Sequence, residues 1–322
     1  MTGFAIEATG IKKYFGGGKG PFKKPIVKAL NGVDFKIRIG ENYCLLGPNG
    51  GGKTTLIRSI LGLLDSEGSI TVLGHNIPQE KEKIIPRIGY MPQDISLYPD
   101  LSVIETLNFF SRIFGIKNQK DRNRAIDDIM EVLFLKQWKH MVVENLSGGM
   151  KRRLSLACAL VHDPELIILD EPTVGVDPTL RLSFWDYFKE LNEKGATIIT
   201  TTHVMDEAEK SRTIGFMRNG KLIAEGSLQE LRKKIPERRK LVIGTELENM
   251  DDIRDAIITN FDLKVFSDKF KLEIFYNEDE IIEPILAFVR EKTKIHELHT
   301  IEPNLEDMFI YFSKIVEEGD SN

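Results

Sequence analysis

The sequence predicts an α/β protein: a mostly parallel sheet covered by helices, with a helical subdomain inserted into it and a second, smaller α/β module behind it. Three observations carry this reading. A glycine-rich run at 47–55, GPNGGGKTT, follows the apolar Tyr43-Cys44-Leu45-Leu46 and leads into the helical pattern 56–61, so a loop joins a strand to a helix. A continuous apolar run, 166–169, has the character of a strand buried on both faces of a parallel sheet, and 196–201 reads as a second buried run. Beyond the charged, proline-broken stretch 232–240 the rhythm becomes β-α-β-β-α-β, the order of a ferredoxin-like module.

The chain has 322 residues, room for one large domain and a small one, and its formal charge of −5 argues against a general nucleic-acid binder. Cys44 and Cys158 both sit in apolar stretches and read as small core residues of a reducing compartment, without a disulfide. The first ten residues lack a basic start and an apolar signal core, and no window reaches the length of a membrane helix. A cytoplasmic location is therefore expected.

Residues 4–15 read as a first strand. The stretch from Lys12 to Lys28, with six lysines and four glycines, reads as an exposed hairpin loop. Residues 33–39 alternate with period two, as a strand with one wet face does, and 40–42 turn the chain into the strand before the glycine loop. In that loop Gly47, four residues, then Gly52-Lys53-Thr54 satisfy the phosphate-binding pattern. Backbone N–H groups surround a β-phosphate, Lys53 reaches the β/γ oxygens, the Thr54 hydroxyl ligates Mg²⁺, and the following helix N-terminus adds its positive end.

Residues 68–74 and 88–93 read as short strands, the second stopped by Pro92. From Ser102 to about Gln137 the pattern turns helical, with Val103, Leu107, Phe110 and Phe114 on one stripe and the charged stretch 117–128 placed between two helices. Ser147 is an N-cap candidate for a long helix that ends at Asp163-Pro164. The apolar run 166–169 then delivers Asp170 and Glu171 to the sheet edge where ligands bind in open α/β folds. Adjacent strand residues point oppositely, so the two carboxylates are expected to hold different jobs, one at the metal and one at the attacking water. His203 ends the run 196–201 at that same edge, whereas His75, His140 and His162 read as structural or surface residues. Asn219-Gly220 is a hairpin turn between 214–218 and 221–224. In the C-terminal module, His296 and His299 lack the spacing and acidic company of a metal site.

In order along the chain, GPNGGGKTT at 47–55, MPQ ending at Gln93, LSGGM at 146–150, LIILDEP at 166–172, VDP at 176–178 and TTH ending at His203 resemble the ATP-binding subunit of an ABC transporter, over roughly residues 4–230. The resemblance implies a P-loop NTPase (RecA-like) core with an antiparallel β subdomain and an inserted helical subdomain at about 94–162. Residues 1–235 then form the ATPase domain and 236–322 an accessory α/β domain. It implies ATP and Mg²⁺ as ligands: Phe15, beside Tyr14, stacks on adenine; Gly47, Asn49, Gly50, Gly51, Gly52, Lys53, Thr54 and Thr55 hold the phosphates. Thr54, Gln93 and Asp170 serve the metal, Glu171 is the general base and His203 contacts the γ-phosphate. It also implies a head-to-tail dimer, with itself or a related ATPase, in which Ser147 and Gly149 of one copy close over nucleotide bound to the other and Asp177 lies at the interface. Met150 stands where glutamine is more usual, and Val174-Gly175-Val176 replaces the commoner Ser-Gly-Leu. The ending at 303–309, PNLEDMF, looks like that of ATPases serving ABC-2 type exporters. The expected function is therefore an ATPase at the inner face of the cell membrane, powering export through a separate permease. The alternatives are a non-transport ABC ATPase switching on ribosomes or DNA, and an importer ATPase. The accessory module, which has no phosphate loop or acid pair, is expected to regulate or stabilise the dimer.

Overall fold

In the computed structural model, which describes residues 3–17, 24–235, 239–246 and 250–320, the chain opens on two long strands, β1 (Phe4–Gly17) and β2 (Lys24–Arg38). Most of the stretch expected as a hairpin loop is therefore ladder: Lys13 lies opposite Leu30, Tyr14 opposite Lys28 and Phe15 opposite Val27. Gly16, at φ +92°, sits at a register shift that bends the pair without ending it. The centre of that loop, 18–23, lies outside the described residues.

Next come β3 (Asn42–Leu46) and α1 (Lys53–Ile60), then β4 (Glu67–Val72) and β5 (His75–Ile77), which complete an antiparallel sheet of order β2-β1-β4-β5. A short α2 (Lys81–Ile84) leads to β6 (Ile88–Met91). The inserted helices are α3 (Val103–Ile113), α4 (Gln119–Val132) and α5 (Gly148–Leu160). The charged stretch expected between two helices is thus mostly α4 itself. Asn118 caps it by accepting from the Lys120 and Asp121 N–H groups, and Arg122, Ile126, Ile129 and Met130 form its buried stripe. Charges on the outer face hid a 3.6-residue pattern whose buried side is narrow.

The remainder of the first unit is β7 (Leu166–Asp170), α6 (Pro178–Glu193), β8 (Thr197–Thr202), α7 (Met205–Ala208), β9 (Thr213–Arg218) and β10 (Lys221–Gly226). The second sheet has the order β10-β9-β3-β8-β7-β6, with β9, β3, β8, β7 and β6 mutually parallel. Both β7 and β8 are buried along their whole length, which is why they lack alternation. One core joins the antiparallel sheet to α1 and one face of the parallel sheet, through Ile6, Phe35, Tyr43, Leu56 and Ile168. A second core joins the opposite face to the inserted helices, through Leu107, Leu154, Leu169 and Phe184.

The chain divides into two compact units, Met1–Glu225 and Gly226–Asn322. The second contains α8 (Leu228–Lys233), β11 (Arg239–Thr245), α9 (Asp251–Phe261), β12 (Lys264–Asp268), β13 (Lys271–Tyr276), α10 (Ile282–Lys292), β14 (Ile295–Ile301) and α11 (Leu305–Asp320). Its sheet is antiparallel in the order β12-β13-β11-β14, over a core of Ile243, Ile257, Ile274 and Val289. Arg232 of α8 belongs to this unit, donating to the Pro303 carbonyl at 3.2 Å and pairing with Glu302 at 2.6 Å. No helix among the described residues is long and apolar enough to cross a membrane.

Candidate active site

The glycine loop leaves β3 at the carboxyl edge of the parallel sheet and turns through Gly50 (φ +77°) and Gly52 (φ +106°), conformations that glycine adopts without strain. A Cβ at position 47 would run into the Met217 carbonyl oxygen, and one at 52 into the Ala29 carbonyl oxygen, so β9 and β2 brace the loop from outside. The β9–β10 turn completes the brace: Gly220 N–H donates to the Gly51 carbonyl at 3.0 Å, and Asn31 N–H to the Gly220 carbonyl at 2.8 Å. No side chain caps α1, so its first-turn N–H groups face the loop as an anion cradle. Lys53 opens that helix, and its side chain, 5% exposed, folds back over the loop. Its Nζ donates to the Gly47 carbonyl at 2.6 Å and the Pro48 carbonyl at 3.1 Å, and lies 3.7 Å from Glu171 Oε1. Burial lowers the Lys53 pKa from its usual value, and the nearby Glu171 and Asp170 charges oppose that shift. Thr54 and Thr55 follow in the same turn, half-buried.

Asp170, the last residue of β7, is fully buried. Its Oδ1 accepts from the Thr201 hydroxyl, while Oδ2 has no hydrogen-bond partner among the described residues. A buried carboxylate oxygen without a donor is costly unless a cation meets it. A hard divalent ion with oxygen ligands fits that donor set, with the Thr54 hydroxyl in the loop as a second oxygen. Glu171 has already left the strand, at φ +52°. Its N–H donates to the Thr201 carbonyl and hydroxyl oxygens, both at 3.1 Å. Its Oε1 lies 3.3 Å from His203 Nδ1, and Oε2 accepts from Gln93 Nε2 at 3.4 Å. The two acids do have separate partners, but a left-handed residue divides them rather than strand alternation. Glu171 is therefore the hub at which Lys53, Gln93 and His203 meet, three residues drawn from three separate segments.

Ser147, Gly149 and Asp177 form a different group. Ser147 caps α5, its hydroxyl accepting from Met150 N–H at 3.3 Å, and Asp177 caps α6 by accepting from Leu180 N–H at 3.0 Å. Asp177 Oδ2 lies 3.8 Å from Arg153. Among the described residues no hydrogen bond or ion pair ties these three to the glycine loop. Phe15, 42% exposed on β1, has Lys13 Nζ 5.6 Å from its ring centroid, and Tyr14 donates to Asn31 Oδ1 at 3.3 Å.

Two residues of the site were missed by sequence reasoning. Arg152, on α5, donates to the carbonyls of Gln93, Asp170, Glu171 and Pro172. Glu207, on α7, accepts from the Thr173 and Thr202 hydroxyls, the second at 2.8 Å, and lies 3.7 Å from Arg181. The available signal was a charged residue on a stripe that is otherwise apolar, as Arg152 is ahead of Leu156 and Ala159.

A sequence-family model described as ABC transporter matches residues 30–174. The linearmycin resistance ATP-binding protein LnrL of Bacillus subtilis is 37% identical over 315 residues, covering 95% of this chain and 97% of the relative. This chain belongs to the ATP-binding proteins of ABC transporters. Another member, the Nod factor export ATP-binding protein I of Cupriavidus metallidurans, is 37% identical over 284 residues, covering 87% of this chain and 91% of its own. Among solved structures, a dimeric bacterial ABC transporter cassette superposes with a TM-score of 0.64 at 26% identity, covering 69% of this chain and 98% of the cassette. A dimeric ATP-binding cassette in a post-hydrolysis state with ADP and Pi gives the same TM-score at 25% identity, with the same coverage. The chain is thus an ABC ATPase with the P-loop NTPase fold.

Proposed function

We propose that this ABC ATPase drives export through a separate membrane permease, working as a head-to-tail dimer with Glu171 as its general base. The observation that carries the assignment of the base is the convergence of Lys53, Gln93 and His203 on the Glu171 carboxylate beside the glycine loop. Hydrolysis of a phosphoanhydride is mainly positioning and charge stabilisation, with one acceptor needed for the water proton. Lys53 and the N–H groups of α1 bind the phosphates and hold them against the sheet edge. His203 orients the terminal phosphate, and Glu171 takes the proton. Asp170, with its free Oδ2, and Thr54 would hold Mg²⁺, with Gln93 reaching it; the bound ion supplies neutralisation of phosphate charge. Phe15 covers adenine. Ser147, Gly149 and Asp177 act on nucleotide held by a second copy, a division of labour supported by their separation from the loop cluster and by the dimeric cassettes that share the fold.

Export is supported by the names of the relatives, linearmycin resistance and Nod factor export. The permease docks on the segment after Gln93 and the helix that follows it, where Tyr98, 52% exposed, stacks edge-on against Phe109 at 5.2 Å and Ile95 is also exposed. The test is Glu171→Gln, which keeps size and hydrogen bonding but removes the acceptor. Loss of a general base costs about 10²- to 10⁴-fold in rate, so phosphate release should collapse while ATP binding survives. With Mg·ATP the variant should elute as a stable dimer, because ATP that is not consumed holds the copies together. Near wild-type hydrolysis by Glu171→Gln would falsify the base assignment.

A further inference from the structure

The least expected group in the ATPase unit is a buried guanidinium that no carboxylate accepts from among the described residues. Arg152, 4% exposed on α5, spends its donors on backbone instead: Nη1 to the Gln93 carbonyl at 2.6 Å, Nη2 to the Asp170 carbonyl at 3.2 Å and to the Glu171 carbonyl, and Nε to the Pro172 carbonyl at 3.3 Å. Burying a charge without an ion pair is expensive, and the planar five-donor fork of arginine is the one side chain that can serve several carbonyls in fixed directions at once. What it holds is an unfavourable conformation. Glu171 sits at φ +52°, a left-handed geometry that a non-glycine residue keeps only when its surroundings over-determine it. Thr201 takes the Glu171 N–H from one side, and Arg152 takes the Glu171 carbonyl from the other. The same guanidinium fixes the backbone of Gln93, whose side chain donates to Glu171.

We propose that Arg152 is the positioning residue for Glu171: by clamping the carbonyls of 170–172 and of Gln93 it holds the left-handed turn that aims the Glu171 carboxylate at the phosphate site. Without the fork, Glu171 is released toward ordinary backbone angles and its carboxylate moves off Lys53, His203 and Gln93. This inference rests on Glu171 being the base.

The experiment compares Arg152→Lys, which keeps the charge but loses the fork, in the wild-type and Glu171→Gln backgrounds of the full chain. A misplacement of about 1 Å costs up to about 10²-fold in rate, so Arg152→Lys should lower kcat roughly 10- to 100-fold with the KM for ATP changed by less than about 2-fold. In the Glu171→Gln background the same change should leave the residual rate unaltered, because residues acting as one unit are not additive. Arg152→Gln, which removes the charge as well as the fork, should lower kcat at least as far as Arg152→Lys. A loss in KM rather than kcat overturns the assignment, as does an equal loss in both backgrounds. If both variants fail to fold and bind a fluorescent ATP analogue, Arg152 is a structural residue and the assignment is also overturned. An unchanged rate in Arg152→Lys beside a collapsed rate in Glu171→Gln overturns this inference alone, whereas an active Glu171→Gln overturns the assignment of the base.

Discussion

Glu207 offers a quantitative test of how the segment carrying His203 is held in place. Its carboxylate is 3% exposed and accepts from two hydroxyls, Thr202, which immediately precedes His203, and Thr173, two residues after Glu171. Glu207→Ala deletes both acceptors. A hydrogen bond to a charged group is worth about 1.5–3 kcal/mol, so two of them amount to roughly 3–5 kcal/mol after partial rescue. The Thr202 hydroxyl also accepts from Val204 N–H at 3.0 Å, a bond the substitution leaves in place. The ATPase unit spans Met1–Glu225, and in a unit of that size each kcal/mol moves Tm by about 2–4 °C, so the variant should melt roughly 6–20 °C lower. Glu207→Gln keeps one acceptor oxygen and should lose less than half as much. Thermal melting followed by intrinsic fluorescence, run beside a phosphate-release assay on the folded fraction, reads both effects. ATP turnover should fall with the melting temperature, because His203 is attached to the strand end that Glu207 anchors. A Glu207→Ala protein melting within about 2 °C of wild type would show that the two threonines carry no such weight, and the reasoning would fail.

Two further outcomes are expected. Gly52→Ala places a Cβ against the Ala29 carbonyl oxygen at φ +106°, a conformational cost of about 1–3 kcal/mol before any clash, so ATP affinity should drop roughly tenfold or more; an unchanged fluorescent-nucleotide titration refutes this. His162 stacks on Phe114 at 4.0 Å with Nε2 3.1 Å from the Ile88 carbonyl, and burial pushes its pKa down to about 4. Folded and unfolded chains are then both neutral at this site above pH 7. As pH falls from about 6.5 toward 4 only the unfolded chain takes up the proton, so stability drops, by about 2 kcal/mol at pH 5. Urea midpoints at pH 7.5 and pH 5 should show a larger acid loss for wild type than for His162→Gln; equal losses rule the histidine out.

What the sequence determined by itself is local or ordered along the chain. The glycine loop between strand and helix was legible because strand, glycines, Lys53, Thr54 and helix are contiguous along the chain. The first buried strand was legible from the unbroken apolar run 166–169 and the second from the β-branched run 196–201, and their ends marked Asp170, Glu171 and His203. The second module could be read as β-α-β-β-α-β because its turns and periods are short-range. Local reading failed where a face was mostly wet: α4 passed for a charged connection because only its narrow stripe of Arg122, Ile126, Ile129 and Met130 is buried. It failed again at residues 24–28, read as loop, where cross-strand pairing overrode a composition suited to one. Convergence was decided by tertiary structure alone. That Glu171 turns left-handed and meets Gln93, 78 positions away, and that Arg152 reaches four carbonyls across two segments, depends on parallel strands placing distant residues at one sheet edge. Such distances are set by the packing of the whole sheet, and no spacing along the chain encodes them.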